Sequence, residues 1–259
     1  MITGSATGIG VRIAIELARR NFSIIINYLR SKREAEELVG YLETTFAVKA
    51  IAIQGNLAEN LEAERVFAQA HGSFGRIDVL VNNVGPFIRE RKKLAEYSTE
   101  EWFNMLNGNL SSVFFMSRLV IPVMRVQGFG RIINIGFERA DTAPGWIHRS
   151  AYAAGKTGLV SLTRTMALEE AENKITVNMV CPGDIKSPWK SAEIKQVDTT
   201  IRECAPVGRS GTGEDIGRVI AFLCEEDSNF ITGAIIEVTG GIDVLGRHRS
   251  KTGGFQKSE

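Results

Sequence analysis

Six short apolar runs recur along the chain: FSIIINY (22–28), VKAIAIQ (48–54), IDVLVNN (77–83), RIINIG (131–136), ITVNMV (175–180) and AIIEVT (234–239). They are apolar almost without a break, as strands of a parallel sheet covered on both faces are. Longer amphipathic stretches lie between them. GVRIAIELARR puts Val11, Ile15 and Ala18 on one stripe, and SKREAEELVGYLETTF follows the next run. STEEWFNML opens with Ser98 and Glu101 at the spacing of a capping box, and TGEDIGRVIAFLCEE opens with the weaker pair Thr212 and Asp215. Another helix is predicted over SAYAAGKTGLVSLTRTMALEE. Strands alternating with helices predict right-handed βαβ units and an α/β fold with a doubly wound parallel sheet.

The start of the chain changes that picture. A glycine turn begins at Thr3, so the strand expected before it is reduced to Met1, Ile2 and Thr3, against the usual 5–6 residues. Either the chain as given starts downstream of its natural start, or the sheet lacks most of its first strand; the former is the expectation. No internal repeat, linker or domain boundary interrupts the pattern. One domain over 1–245 is expected, with a polar tail over 246–259 outside the core.

Composition narrows the partners. The 259 residues carry a net charge of +1, with 44% hydrophobic and 24% charged residues, a globular profile with no case for nucleic acid or a membrane surface. No apolar run approaches the roughly 20 residues of a transmembrane helix, and the N-terminus lacks a secretory pattern. Cys181, Cys204 and Cys224 are far apart and odd in number, without disulfide or metal-ligand spacing. His71, His148 and His248 are scattered, so no metal site is expected; His148 could lie at a site mouth, with a solvent-facing loop as the simpler reading. A cytoplasmic location is the default.

Three stretches carry candidate chemistry. TGSATGIG (3–10) has Gly4, Gly8 and Gly10 entering a helix, which allows a tight turn and close approach of backbone to a pyrophosphate at a helix N-terminus. NYLRSKR (27–33), at the end of a strand, has no acid to take a ribose 2′-hydroxyl, whereas Arg30 and Ser31 suit a 2′-phosphate. That favours NADP(H), with NAD(H) as the second choice. Tyr152 and Lys156 fall on one face of a helix, where an ammonium would favour phenolate and the phenol could give a proton to a carbonyl oxygen.

Together these features resemble the short-chain dehydrogenase/reductase family in its classical form, over about residues 2–243, and most closely its β-ketoacyl-acyl-carrier-protein reductases. The resemblance implies a single-domain Rossmann-type fold. TGSATGIG looks like the cofactor turn, with Thr3, Gly4, Ser5, Gly8, Ile9 and Gly10. NNVG (82–85) looks like the motif that usually ends in Ala-Gly, giving Asn83 and Gly85. YAAGK looks like the Tyr–Lys motif. Asn109 in NLSSVF matches the residue that supports a proton-relay water, and CPGDIKS (181–187) the segment that meets the nicotinamide, with Pro182, Gly183, Ile185 and Ser187. Asn56, beside Leu57, stands where an Asp commonly contacts adenine, and its carbonyl can accept the same bond. The resemblance further implies a small carbonyl substrate, with a carrier-protein thioester among the candidates, and a homotetramer or homodimer.

The largest departure is Phe137, where the family pattern has a Ser that hydrogen-bonds the substrate oxygen. Thr142, Ser150 and Asp141 are candidate substitutes. A lost donor of this kind costs roughly 10²–10³ in rate, short of abolition. Three outcomes stay open: a rebuilt loop with another donor, a slower enzyme relying on Tyr152 alone, and a cofactor-binding sensor or structural subunit without turnover. Phe87, Trp146 and Trp189 are candidates for an apolar pocket wall. Arg125, Arg131 and Arg164 are candidates for an acidic-carrier docking patch, with scattered surface arginines as the simpler reading.

Overall fold

A computed structural model describes residues 1–197 and 205–242. All six expected strands form: β1 (Ile24–Tyr28), β2 (Ala50–Gln54), β3 (Val79–Asn82), β4 (Gly130–Ile135), β5 (Ile175–Pro182) and β6 (Ile235–Val238). The helices are α1 (Ile9–Ala18), α2 (Lys32–Phe46), α3 (Asn60–Phe74), α4 (Thr99–Leu106), α5 (Ser112–Gln127), α6 (Ser150–Glu170) and α7 (Gly213–Leu223). Every strand pair is parallel, in the orders β2–β1 and β3–β4–β5–β6. Ile2 stitches the two groups together, bridging Ile26 on one side and Val81 on the other. The short first segment therefore pairs on both sides. Ile2 N–H donates to Ile25 O at 2.9 Å, Asn27 N–H to Ile2 O at 3.1 Å, Val81 N–H to Met1 O at 2.9 Å and Thr3 N–H to Val81 O at 2.9 Å. Three residues thus do the pairing of a middle strand, with no gap in the sheet.

Successive side chains of each strand face opposite layers. Ile24, Ile26, Val79, Val81, Ile133 and Val180 pack with α1, α2 and α7, while Ile25, Leu80, Ile132 and Val177 pack with α3, α5 and α6. This is why the strands read as unbroken apolar runs. Both expected capping boxes form, at Ser98–Glu101 before α4 and at Thr212–Asp215 before α7.

Two features differ from the sequence expectation. The helix α3 comes from a stretch of modest amphipathicity whose buried residues are small: Ala63, Val66 and Ala70. The continuous helical run Thr99–Gln127 is 29 residues long and apolar enough, by length and composition, to cross a membrane. In the fold it buries Val113, Met116, Val120 and Met124 completely, as a core helix does. The tail expected over 246–259, with His248, lies outside the described residues, as does Cys204.

Candidate active site

The strand ends converge on a cleft of about 770 Å³. Segments after β3 (Asn83, Gly85), β4 (Gly136, Phe137, Glu138) and β5 (Gly183, Asp184, Ile185) line it, together with Pro182 and the turn Thr7–Ile9. This is the carboxyl edge of an open parallel sheet, where such folds bind ligands.

The glycine turn is fixed from beneath. Gly4 N–H donates to Asn27 Oδ1 at 3.1 Å, and Asn27 Nδ2 ties on to Ile53 O and Gly55 O of the neighbouring strand segment. Asn83 Nδ2 donates to the carbonyls of Thr3 and Gly4. Thr3 Oγ1 accepts from the N–H groups of Asn83 and Val84, and Ser5 Oγ donates to Ile2 O. Both hydroxyls are spent inside the protein, so Thr3 and Ser5 act through the shape of the turn. Gly4 and Gly8 sit at φ +57° and +63°, the left-handed region. Gly10 is under a different constraint, since a Cβ there would come within 2.5 Å of Ser5 Cα.

The helix α6 brings in Tyr152 and Lys156. A buried polar chain sets its position: Asn82 Nδ2 donates to Asn134 Oδ1 at 2.9 Å, Asn134 Nδ2 to Thr163 Oγ1 at 2.8 Å, and Thr163 Oγ1 to Leu159 O at 2.7 Å. Three elements are pinned in this way, and the sequence reading did not single out those residues. Tyr152 lines the cleft and Lys156 lies beneath it, its Nζ donating to Ile135 O at 2.7 Å. Burial pushes the Tyr152 phenol above its ordinary range and the Lys156 ammonium down to about 8. The expected lowering of the phenol by its lysine does not appear: desolvation raises it, and Cys181 adds to the rise. At neutral pH the phenol is an acid.

Asn109 sits in a π-bulge, Asn107–Ser111, between α4 and α5. Such bulges recur at functional sites. Its Nδ2 donates to Pro86 O and Met105 O, while its buried Oδ1 has no partner among the described residues. A Cβ on Gly85 would lie 2.5 Å from that oxygen and 3.3 Å from Lys156 Nζ. A bare backbone at Gly85 thus borders both polar atoms. These features fit a dinucleotide: a glycine cradle at a helix N-terminus, a second bare backbone at Gly85, and an orphaned acceptor beside the lysine.

The rest of the cleft is aromatic. Phe137 is 5% exposed, with ring centroids 5.2 Å from Trp146 and 6.0 Å from Tyr152. Phe87 lies 5.0 Å from Tyr152, edge to face. Arg149 stacks over Phe87 and donates to the carbonyls of Arg89, Glu90 and His148, which latches the 85–91 loop to the loop before α6. Arg89, Arg91, His148 and Lys190 also line the cleft. Apart from His148, which it weighed, the sequence reading missed this set, along with Thr7, Glu138 and Asp184.

Several expected residues lie elsewhere. Asp141 faces Arg164 at 3.7 Å in a separate cavity of about 320 Å³, and exposed Thr142 donates to Arg139 O. Ser150 Oγ is buried without a partner among the described residues and does not line the cleft. None of the three takes the place of the missing serine. Trp189 packs on the layer of α1 and α7. Ser187 is exposed and outside the cleft lining. Arg30 and Ser31 stand in the turn between β1 and α2, outside the cleft lining, and Arg30 makes no ion pair among the described residues. Asn56 spends its Nδ2 on Glu59 and accepts from Ala58 N–H beside buried Leu57. Among the described residues the three arginines form no docking patch: Arg125 is chelated by Glu170, Arg131 is buried against backbone carbonyls and Phe129, and Arg164 faces Asp141.

A doubly wound sheet with a glycine turn before its first helix, a tyrosine in the same cleft and a lysine one helical turn on beneath it, defines a dinucleotide-dependent oxidoreductase. Residues 4–243 match the family model described as enoyl-(acyl carrier protein) reductase. The chain belongs to the short-chain dehydrogenase/reductase family, whose members use a nicotinamide cofactor. It is 48% identical over 254 residues to YtkK of Bacillus subtilis, provisionally named an oxidoreductase, covering 96% of this chain and 98% of that one. It is 36% identical over 243 residues to the 3-oxoacyl-[acyl-carrier-protein] reductase FabG of Staphylococcus epidermidis, covering 93% and 97%. A solved Bacillus thuringiensis structure, provisionally titled a 3-oxoacyl-reductase, superposes with a TM-score of 0.86 at 47% identity, covering 94% and 97%.

Proposed function

We propose that this chain is an NADP(H)-dependent carbonyl reductase acting on 3-oxoacyl thioesters. The turn Thr7–Ile9 would hold the pyrophosphate, Arg30 and Ser31 the 2′-phosphate, and Asn83, Gly85 and Pro182–Ile185 the nicotinamide half. When bound, the cofactor supplies hydride to the carbonyl carbon. Tyr152 gives its phenolic proton to the carbonyl oxygen, and Lys156 and Asn109 hold the polar path that returns a proton to it. The observation that carries the reading is the Tyr152 phenol in the same cleft as the glycine turn, with Lys156 directly below. A phenol kept neutral by burial suits reduction, where it must donate.

The substrate class rests on the cleft wall and its mouth. Phe87, Phe137 and Trp146 offer an apolar wall for an acyl chain, and Arg89 and Arg91, without ion pairs among the described residues, suit an anionic carrier arm. The names of the relatives point the same way. A homotetramer or homodimer in the cytoplasm belongs to this reading on family grounds alone.

One observation favours a second reading. Phe137 is packed where a serine hydroxyl would meet the substrate oxygen, which fits a cofactor-binding protein without turnover. NADPH consumption across 3-oxoacyl thioesters and small neutral ketones decides between them. Turnover fastest on a thioester is expected. Cofactor binding without turnover on any carbonyl would establish the second reading.

A further inference from the structure

The segment after β5 returns across the cleft and lies against α1. Lys190 in this segment lines the cleft beside Thr7, Gly8 and Ile9. Among the described residues beyond the turn and helix α1, its Cβ comes nearest to where a side chain on Gly8 would begin, at 4.0 Å. The stem of a lysine therefore stands over the glycine turn at the N-terminus of α1.

This placement is anchored on both sides. The Lys190 carbonyl sits so close to Gly213 of α7 that a Cβ there would collide with it. Three residues on, Glu193 Oε1 lies 3.5 Å from both Arg12 and Arg19 of α1. Ile194 N–H donates to Glu214 Oε2 at 2.6 Å. Arg12 and Glu214 are nearly fully buried, so the clamp is part of the core between α1 and α7. Other cations of this region are committed: Arg12 to Glu16 and Glu193, Lys195 to Glu193. Lys190 makes no ion pair among the described residues.

We propose that Lys190 is a further cofactor-binding residue, its ammonium placed over the glycine turn to neutralise the pyrophosphate. The proposal rests on the reading of the cleft as a dinucleotide site. A pyrophosphate carries about two negative charges, while a helix N-terminus supplies roughly half a positive one. The carboxylate of Asp184 lines the same cleft, which adds to the need for a nearby cation. A lysine serves this purpose as a point charge on a flexible stem.

Fluorescence titration separates this role from recognition of the 2′-phosphate. Lys190→Gln should weaken NADPH and NADH by the same factor, about tenfold, and Lys190→Arg should restore most of it. ADP-ribose, which has the pyrophosphate without nicotinamide, should lose affinity equally in competition. Adenosine 2′-monophosphate, which has neither phosphate of the pyrophosphate, should be unaffected by Lys190→Gln and weakened by Arg30→Ala. Lys190 is exposed, so the variant should melt with the parent, which excludes misfolding. Unchanged NADH affinity in Lys190→Gln, or a loss confined to NADPH, overturns the proposal while the cofactor reading stands. A parent chain that binds neither cofactor overturns both.

Discussion

Tyr152 and Phe137 face each other across 6.0 Å and divide the chemistry of the site between them. Tyr152→Phe removes one oxygen from a wall that otherwise stays packed. NADPH should still bind, and turnover should vanish in a steady-state assay; parent-like turnover would defeat the mechanism. Phe137→Ser restores the hydroxyl of the family pattern, yet the ring it removes is buried between Trp146 and Tyr152. Emptying such a site costs about 3 kcal/mol or more. The variant should melt several degrees lower and gain no kcat. A gain near 10²-fold would instead mark the parent as a crippled enzyme lacking one donor. At the far end of the cofactor, Arg30→Ala should weaken NADPH and leave NADH nearly untouched, because Arg30 meets only the 2′-phosphate. Equal affinity of the parent for both cofactors would sink the NADP(H) preference.

At the scale of elements, apolar pattern and turn chemistry were enough to place the sheet, because strands buried on both faces carry no ambiguity of period. Capping boxes fixed the starts of α4 and α7 for the same local reason. Tyr152, Lys156 and the glycine turn were legible because they sit at fixed spacing in short stretches. The cleft rim was not. Arg89, Arg149, Glu138 and Lys190 come from loops whose paths depend on contacts far along the chain, such as Arg149 reaching the carbonyls of residues 89 and 90. Asp141 and Thr142 looked suitable in sequence because they follow Phe137 closely, but the loop turns Asp141 to Arg164 of α6 and ties Thr142 back to Arg139 O, and neither lines the cleft. Gly213 tests the packing that sets the rim. It opens α7, where alanine would ordinarily be the better helix former by about 1 kcal/mol. Here a Cβ meets the Lys190 carbonyl and lies 2.8 Å from Arg12 Cγ. Gly213→Ala should therefore lower the melting temperature and weaken both reduced cofactors, through displacement of Lys190. A variant more stable than the parent, with unchanged cofactor affinity, would show that the segment does not rest on α7.

For the molecule as a whole, the site should leave a signature in the pH dependence of stability. Burial lowers Lys156 from 10.5 to about 8, so between those values the unfolded chain holds more protons and stability rises with pH. Cys181 and Cys224 are raised from 9.0 to about 12, so above pH 9 the folded chain holds more protons and stability falls. Tyr152, also raised by burial, adds to that fall above its ordinary value of 10.0. The buried Met1 amine, lowered from 8.0 to about 6, acts upward as well, so two groups act upward and three downward, which puts the expected maximum in melting temperature at about pH 8–9. Lys156→Met isolates the first term. A charged lysine held at this depth costs roughly 3 kcal/mol at pH 7. Its removal leaves the Ile135 carbonyl without its donor, a penalty of roughly 1–3 kcal/mol. The balance is about 1 kcal/mol in favour of the variant, or about 2–4 °C. The variant should thus be inactive yet melt slightly higher at pH 7, and this advantage should disappear as the pH approaches 10.5, where the folded parent lysine is neutral and the unfolded one is half neutral. A variant that melts lower than the parent at pH 7, by an amount that does not change with pH, would show that Lys156 is held without electrostatic cost.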